Sequence, residues 1–323
     1  MSKYRDPILK LLTDERPNYI SGQTIAEKLD ISRMTVKKVI DQLKIDGISI
    51  DSVHNKGHRL NRFPNTWHTS IVKSVLSQQS LFDIVHCYDT VGSTQLEAKH
   101  LLVDHEAPML ILSDTQTEGR GRFKRPWQSA KGKGLWMSLV LRPQISYSML
   151  TTFNLFISLA IRDAIQSYVD QDVKIKWPND IYIGDKKICG FLTEMVANAD
   201  GIEAVICGIG ININQTESDW DEDVRKIATS IQILHGQSVE RYLFLDTLIK
   251  HIAHRYNQFL TSSFIAIKDE YIAASNIWNR QLRFTEGNRQ FYGKVIEIDD
   301  DGFLHVVDKT GTIHRLMSAD IEL

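Results

Sequence analysis

Residues Gly119–Gln128 read GRGRFKRPWQ, and the interpretation of the whole chain depends on this stretch. Four basic side chains, two glycines and one proline fall within these ten residues, with Phe123 and Trp127 among them. Nothing in the stretch alternates with a helix or strand period, which predicts a flexible loop rather than a core element. The formal net charge of the chain is only −2, so such concentrated positive charge raises the question of what anion it meets.

Composition predicts a soluble protein of two or three domains, because 323 residues exceed one ordinary domain. No apolar run approaches the ~18 residues that a bilayer-spanning helix needs. The N-terminus, MSKYRDPILKLL, leads directly into an amphipathic helix and has no signal-peptide pattern. Cys87, Cys189 and Cys207 are scattered and form no CxxC pair. We therefore expect a cytoplasmic protein with no membrane partner, no disulfide framework and no zinc site.

Charge is distributed unevenly along the chain. Residues 1–62 hold 12 Lys and Arg against 8 Asp and Glu, a formal charge of +4. The remaining residues hold 26 basic against 32 acidic side chains, a formal charge of −6. A small basic head on a larger acidic body suggests that the head contacts nucleic acid.

The head is predicted to contain three short helices. Asp6 is expected to cap the first helix, with Pro7 at its first helical position. A second helix should begin near Ser21, and Ser32 is the expected N-cap of a third. Apolar residues of the third helix recur at i, i+3, i+4 and i+7, which predicts one buried face. That face consists of Val36, Val39, Ile40 and Leu43.

The segment after these helices, GISIDSVHNKGHRL, alternates apolar and polar residues and predicts a two-stranded wing that turns near residues 55–57. Together they form a winged helix-turn-helix pattern. A three-helix packing module is the alternative, but Arg33 and Lys37 lie where a buried partner helix would need apolar side chains. We therefore expect binding to operator DNA, with basic residues on phosphates and Arg33, Thr35 and Gln42 within reach of base edges. The predicted DNA-binding residues are Ser32, Arg33, Thr35, Lys37 and Lys38.

The body, from about residue 70, alternates strand-like and helix-like stretches and predicts a mixed α/β domain. Strands are expected in MLILSDTQ, LWMSLVLRP and EAVICGIGININ, and a helix in NLFISLAIRDAIQSYV. Polar residues interrupt the apolar pattern where four strands end. These four places are DTVGSTQ at residues 89–95, Gln116 with the loop after it, KWPND at residues 176–180, and GIGININ at residues 208–214.

Each of these places has a structural explanation as well as a functional one. Ser93 would cap the helix STQLEAKHLL, yet its hydroxyl also suits a polar uncharged ligand. KWPND could be a turn into a strand, and GIGININ a bulged strand rather than a dinucleotide-binding motif. Asn212 and Asn214 need hydrogen bonds if they are buried there. Four such places beside one Gly/Arg loop are difficult to explain by packing alone.

A hairpin is predicted after KWPND, with Gly184-Asp185 as its two-residue turn. Tyr182 would then pair with Lys187, and Asp180 with Cys189. Because cross-strand partners share a face, Asp180, Tyr182 and Lys187 should project together while neighbouring isoleucines face the core. A carboxylate and an ammonium group would thus meet at one point.

Several of these stretches together resemble the sequence of a known protein family. GRGRFKRPW resembles the adenylate-binding loop of biotin–protein ligases, and GSTQ, KWPND, the Lys187 hairpin and GIGININ follow in that family's order and spacing. With the winged helix-turn-helix in front, the whole chain is similar to the bifunctional kind, which also represses transcription of biotin genes. The chain departs from many relatives in having Gln95 where they have an asparagine.

The resemblance implies three domains. Residues 1–65 would form the winged helix-turn-helix domain, and residues 66–274 a ligase domain with a mixed α/β fold like that of class II aminoacyl-tRNA synthetases. Residues 275–323 would form a C-terminal domain resembling an SH3 barrel. Short strand-like stretches separated by EGN, DDDG and KTGT turns agree with this last domain.

The resemblance also implies the chemistry. ATP and biotin would react to biotinoyl-5'-AMP, and biotin would pass to a lysine of a biotin carboxyl carrier domain. The loop would then neutralise two anions that meet, the carboxylate of biotin and the triphosphate. Mg²⁺ is expected with ATP, without identified protein ligands.

Residue roles follow from the same resemblance. The implied catalytic residues are Lys187, Arg120, Arg122 and Asp180. Those implied to bind biotin are Ser93, Thr94, Gln95, Gln116, Arg120, Gly121, Arg122 and Lys187. Those implied to bind ATP or the adenylate are Arg122, Arg125, Trp127 and Asn212.

The sequence is also compatible with two rival functions. A ligand-sensing transcription regulator without catalysis would not need Lys187 or the arginines. A lipoate-type ligase would share the fold and the adenylation chemistry, although the arginine loop and the head favour biotin. For the bifunctional reading, we expect the adenylate to order the loop, expose Phe123 to a second chain and induce a homodimer that represses transcription.

Overall fold

A computed structural model of the chain describes residues 3–76, 81–198, 201–287 and 289–322. The head contains three helices and a two-stranded wing, as predicted. Its helices are α1 (Arg5–Asp14), α2 (Gly22–Leu29) and α3 (Arg33–Ile45), and its strands are β1 (Ser49–Val53) and β2 (Gly57–Arg62). Ser21 and Ser32 cap α2 and α3 by accepting backbone N–H bonds at 3.0 and 3.1 Å. All four predicted apolar residues of α3 are buried.

The prediction that Asp6 caps α1 is wrong. The helix begins at Arg5, and the N–H of Ile8 donates to the carbonyl of Tyr4 at 3.1 Å to close the first turn. Asp6 and Pro7 both lie inside that turn. A proline is compatible with this position because first-turn N–H groups have no intrahelical partner to lose.

The central domain has a seven-stranded mixed sheet between helical layers. Its strands are β3 (Ile84–Tyr88), β4 (Met109–Ser113), β5 (Leu135–Leu141), β6 (Val173–Lys176), β7 (Asp180–Ile183), β8 (Lys186–Asn198) and β9 (Gly201–Ile211), in the order β3-β4-β5-β9-β8-β7-β6. Its helices are α4 (Thr69–Val75), α5 (Thr94–Leu101), α6 (Leu150–Gln166), α7 (Glu222–Ile227), α8 (Ile231–His235), α9 (Arg241–Thr261) and α10 (Lys268–Ala274). Strands β3 and β4 are parallel, with α5 as their crossover, and the other neighbouring strands are antiparallel.

The sheet is buried on both faces. Met109 and Ile111 of β4 pack with Ala98 of α5, whereas Leu110 and Leu112 join the larger core that includes α6 and α9. Strand residues point alternately to opposite faces, so a fully apolar strand such as β4 fills two cores at once. Because both faces are covered by apolar cores, polar side chains are found at the ends of the strands.

The C-terminal domain is a five-stranded antiparallel sheet. Its strands are β10 (Gln281–Glu286), β11 (Arg289–Ile298), β12 (Leu304–Asp308), β13 (Ile313–Leu316) and β14 (Asp320–Glu322), in the order β13-β12-β11-β10-β14. The predicted DDDG and KTGT turns join its strands, while Asn288 of the EGN turn lies outside the described residues. The indole N–H of Trp177 donates to the carbonyl of Gly302 at 3.3 Å, which connects this domain to the central domain. Among the described residues, no helix is long and apolar enough to cross a bilayer.

Candidate active site

A pocket at the ends of the central strands brings together the body residues that the sequence predicted. It is lined, among others, by Ser93, Thr94, Gln95, Gln116, Arg120, Gly121, Arg122, Arg125, Trp127, Asp180, Lys187 and Asn212. These residues come from four stretches that are far apart in the sequence. Their convergence is a tertiary finding, and it is the observation from which the chemistry can be argued.

One end of the pocket is a network of neutral polar groups around Thr94. The side-chain oxygen of Gln116 accepts from the backbone N–H of Thr94 at 2.9 Å and from its hydroxyl at 3.1 Å. Ser138 donates to the Thr94 hydroxyl at 2.8 Å, and the Gln116 amide donates to Ser129 at 3.1 Å. The network is uncharged, so it suits a polar neutral group of a ligand.

Ser93 and Gln95 have structural roles at this end of the pocket. Ser93 caps α5, with its hydroxyl oxygen 3.3 Å from the N–H of Gln95. The Gln95 amide donates to the carbonyl of Leu192 at 2.9 Å, and its side chain packs over Gly208. A Cβ at Gly208 would lie 2.5 Å from Gln95, so glycine is needed there for close approach.

The predicted hairpin is present, and it joins Lys187 to Asp180. Tyr182 pairs with Lys187 as expected, but Asp180 pairs with Gly190 and not with Cys189. The register shifts by one residue between Ile181 and Tyr182, because a β-bulge adds a residue to β8, and the alternation rule used for the prediction does not allow for bulges. The ammonium of Lys187 nevertheless lies 2.7 Å from the Asp180 carboxylate.

The Gly/Arg loop covers the other end of the pocket. Arg122 donates to the Asn179 side chain at 3.1 Å, to the Ser318 hydroxyl at 2.6 Å and to the Ala319 carbonyl at 3.3 Å. Burial lowers the pKa of Arg122 because it disfavours the charged guanidinium. A nearby anion would offset this cost of burial. Phe123 is 60% exposed and has the guanidinium groups of its two arginine neighbours against its ring.

Trp127 forms a wall of the pocket between two glycines. A Cβ at Gly210 would lie 2.7 Å from the indole nitrogen, and one at Gly190 would lie 3.1 Å from its ring. The Lys187 ammonium is 5.4 Å from the ring centroid. The indole N–H is buried and has no hydrogen-bond partner among the described residues. A buried donor without a partner calls for an explanation, and a ligand in the pocket that Trp127 lines could supply the acceptor.

The two asparagines after β9 are satisfied within the protein. The Asn212 amide donates to the carbonyl of Thr229 at 3.0 Å and accepts from Gln215 at 3.0 Å. Asn214 exchanges two bonds with the backbone of Val239, both at 2.8 Å. Strand β9 ends at Ile211, before either asparagine. Asn212 lines the pocket, but its side chain already has a structural role.

Among the pocket residues that sequence reasoning did not assign to the site are Lys176, Asn179 and Asp320. Lys176 and Asn179 lie inside the KWPND stretch, where a polar residue at a strand end was the available signal. Burial lowers the pKa of Lys176, and Asn179 holds both Arg122 and the carbonyl of Phe191. Asp320 lies in the C-terminal domain, and no sequence pattern around it predicts that it lines this pocket.

The head presents the predicted polar surface. Arg33, Lys37 and Lys38 are exposed and have no ion-pair partner in the part of the chain that the structure describes. Ser32 and Thr35 bond to each other at 2.9 Å, so their hydroxyls mainly cap the helix. The head also contacts the body, because Arg16 pairs with Glu240 through two bonds of 2.9 and 3.0 Å.

Family models match three parts of the chain. Residues 5–59 match an HTH domain, residues 87–212 the Biotin/lipoate A/B protein ligase family, and residues 278–323 the Biotin protein ligase C terminal domain. The match to a C-terminal ligase domain agrees with the sheet formed by β10 to β14.

Among solved structures, the chain is similar to a biotin protein ligase from Aquifex aeolicus in complex with biotin and ATP. The TM-score is 0.65 at 27% identity, over 75% of this chain and 99% of that one.

Whole-length relatives are found among curated proteins. The chain is 36% identical over 324 aligned residues to the bifunctional ligase/repressor BirA of Bacillus spizizenii, covering 100% of this chain and 99% of that protein. The protein of the same name from Bacillus subtilis is also 36% identical with the same coverage. This chain therefore belongs to the family of biotin–protein ligases, and within it to the bifunctional ligase/repressors.

Proposed function

We propose that this protein activates biotin with ATP to biotinoyl-5'-AMP and transfers biotin to a lysine of a biotin carboxyl carrier domain. The supporting observation is one pocket in which a neutral polar network, a lysine–carboxylate pair and an arginine loop meet. The names of the full-length relatives and of the ligand-bound neighbour support the same activity.

The neutral end of the pocket would hold the uncharged ring system of biotin. Thr94 and Gln116 offer a hydroxyl and an amide within one connected network, and Ser93 and Gln95 lie beside them. Biotin's ring system carries both hydrogen-bond donors and acceptors, so groups of both kinds are required there. The carboxylate tail would then point toward the cations at the other end.

The adenylation step requires two anions to approach each other. A carboxylate oxygen of biotin attacks the α-phosphorus of ATP, the new C–O–P linkage forms, and the bond to pyrophosphate breaks. Arg120, Arg122 and Lys187 would neutralise the negative charge that accumulates on these oxygens. Gly121 would allow the backbone to approach the ligand, and Asp180 would orient Lys187 through their 2.7 Å contact. In the second step the amine of the carrier lysine attacks the acyl carbon, and AMP leaves.

The nucleotide would occupy the side of the pocket lined by Trp127 and Asn212. Arg122 would bind the α-phosphate and Arg125 the β- and γ-phosphates, and the unpartnered indole N–H of Trp127 offers one further donor. Mg²⁺ would arrive on the triphosphate. Asp180 and Asp320 are carboxylates in the pocket, but each is paired with a cation, and the described residues contain no cluster of three potential metal ligands. We propose that Mg²⁺ is bound together with the ATP substrate, and we name no protein ligand for it.

We further propose the domain boundaries 1–65, 66–274 and 275–323. The mixed sheet of the central domain supports a likeness to class II aminoacyl-tRNA synthetases, and the small antiparallel C-terminal sheet supports a likeness to SH3 barrels. The head would bind operator DNA and repress genes for biotin synthesis or uptake.

The ligase activity has a direct test. The protein would be mixed with ATP, a carrier domain and either biotin or lipoate, and the mass of the carrier followed by mass spectrometry. We expect the mass increase of one biotinoyl group and no increase with lipoate. A gain with lipoate alone would favour a lipoate-type ligase, and no gain with either would favour a ligand sensor without catalysis.

Repression is proposed to depend on a homodimer that the adenylate induces. Phe123 is exposed on the loop, where a second chain could cover it. Sedimentation with and without biotin plus ATP would measure the dimerisation constant, and we expect it to tighten with the ligands. If Phe123→Arg dimerises as well as the unchanged protein, the proposed contact through Phe123 is wrong. If the dimerisation constant is the same with and without biotin plus ATP, the adenylate does not control dimerisation.

A further inference from the structure

A segment of the C-terminal domain reaches the arginine loop. Ser318 and Ala319 accept hydrogen bonds from Arg122, and Asp320 lies 2.5 Å from the guanidinium of Arg125. About two hundred residues of sequence separate the partners. Asp320 is held in place because it begins β14, where it pairs with Thr285 of β10.

The partners of the two arginines differ in charge. All acceptors of Arg122 are neutral, namely the Asn179 side chain, the Ser318 hydroxyl and the Ala319 carbonyl. Arg125 instead has a carboxylate, and a carboxylate offers negative oxygens as a phosphate does. Of these two arginines, Arg125 therefore bonds directly to a carboxylate of another domain, whereas Asp320 acts on Arg122 only at longer range.

The two members of this pair differ in freedom of movement. The side chain of Arg125 is 66% exposed, whereas that of Asp320 is 23% exposed. The next residue, Ile321, is buried in the C-terminal core, so the carboxylate stays where the sheet places it. Arg125 is thus the partner that can turn away from the pair toward another anion.

We propose that Asp320 is an internal counter-anion for Arg125, which the triphosphate of ATP must displace. This inference rests on the proposed role of Arg125 in binding the β- and γ-phosphates. The C-terminal domain thereby lowers the affinity for ATP by competition. Asp320 is a positioning residue, since it acts through Arg125.

The test is Asp320→Asn, which keeps the shape of the side chain and removes its charge. ATP–pyrophosphate exchange would give the KM values for ATP, pyrophosphate and biotin. We expect the KM for ATP and for pyrophosphate to fall about two- to fivefold, the range that exposed ion pairs contribute. The KM for biotin should not change. An unchanged or higher KM for ATP would overturn the proposal.

Glu322→Gln is the matched control. Glu322 lies on the same strand and pairs with Arg283 at 3.1 Å, so the control removes the same charge outside the pocket. Its KM values should change less than those of Asp320→Asn, because Glu322 acts on Arg125 only at longer range and bonds to Arg283 instead. Equal decreases in both variants would mean a general effect of net charge and would overturn the proposal.

Arg125→Ala separates this inference from the proposed function. We expect a higher KM for ATP in this variant. In the Arg125→Ala background, we expect Asp320→Asn to leave the KM for ATP unchanged. If Arg125→Ala alone leaves the KM unchanged, the phosphate-binding role of Arg125 is wrong, and the inference fails with it. If Arg125→Ala raises the KM but Asp320→Asn still lowers it in that background, only the counter-anion proposal fails.

Discussion

Asp114 and Arg241 form a buried ion pair, with 2.9 Å between carboxylate and guanidinium and exposed fractions of 0% and 4%. The same carboxylate accepts the backbone N–H of Trp67 at 3.0 Å, in the segment that joins head and body. Arg241 also donates to the carbonyl of Gly134 at 2.9 Å and to that of Asn65. The pair therefore connects the interdomain segment to the end of β4 and the start of β5, which flank the arginine loop.

Breaking this pair should destabilise the protein strongly. Asp114→Ala leaves a buried guanidinium without its counter-charge, and we expect a loss of about 3–5 kcal/mol in the free energy of unfolding. Urea denaturation would measure it. Glu222→Ala, which removes an exposed partner of Lys226, should cost less than about 0.5 kcal/mol. The double variant Asp114→Leu/Arg241→Met should recover part of the loss. If its loss in stability equals the sum of the losses in Asp114→Leu and in Arg241→Met, the two residues are not directly coupled.

Catalysis should depend on the two cations nearest the proposed reaction centre. Lys187→Ala and Arg122→Ala should each reduce adenylate formation about 10²–10³-fold, because each removes a preorganised donor to charge that grows in the transition state. Pyrophosphate exchange measures the rate, and circular dichroism checks the fold. Near-normal turnover in both variants would show that the roles are assigned wrongly.

The glycine under Trp127 should be essential for the shape of the pocket. In Gly210→Ala the new Cβ would lie 2.7 Å from the indole nitrogen, so the ring must move into the space of the ligand. We expect weaker biotin and ATP binding by calorimetry. Gly22→Ala is the control, because its Cβ would meet only ordinary contacts at 3.5 Å. Wild-type affinities in Gly210→Ala would mean that Trp127 does not shape the binding site.

DNA binding should be separable from ligation at the exposed face of α3. Arg33→Ala and Lys37→Ala should weaken binding to operator DNA and leave carrier biotinylation intact. Loss of one phosphate contact should also reduce the slope of log affinity against log salt by about one. A titration at several salt concentrations tests this, and an unchanged slope in both variants would place the DNA elsewhere.

Stability should decrease below neutral pH because of histidines whose charged form is disfavoured. Burial lowers the pKa of His68 below its usual 6.5 in the folded state. Its contribution is therefore complete above pH 6.5 and is lost as the pH falls toward the lowered value, because the unfolded chain then binds more protons. The slope from one such group is at most about 1.4 kcal/mol per pH unit. Urea unfolding between pH 7.5 and 5.5 should show that stability decreases less steeply with falling pH in His68→Gln than in the unchanged protein, and an equal decrease in both would contradict this prediction.

The sequence by itself determined the local elements and their chemistry. The start of α2 near Ser21, the cap at Ser32, the buried face of α3 and the turn at Gly184-Asp185 depend on residues near one another, so local sequence rules were sufficient. The four polar places at strand ends were also visible, because a polar residue at the end of an apolar run needs an explanation.

Only the tertiary structure decided which of these places meet and what else joins them. The bulge in β8 moved Asp180 opposite Gly190, since bulges depend on how strands twist together and not on the alternation of one strand. The Asp320–Arg125 contact and the Asp114–Arg241 pair each join residues more than a hundred positions apart. Such contacts arise from the packing of whole domains, for which no short stretch of sequence carries a signal.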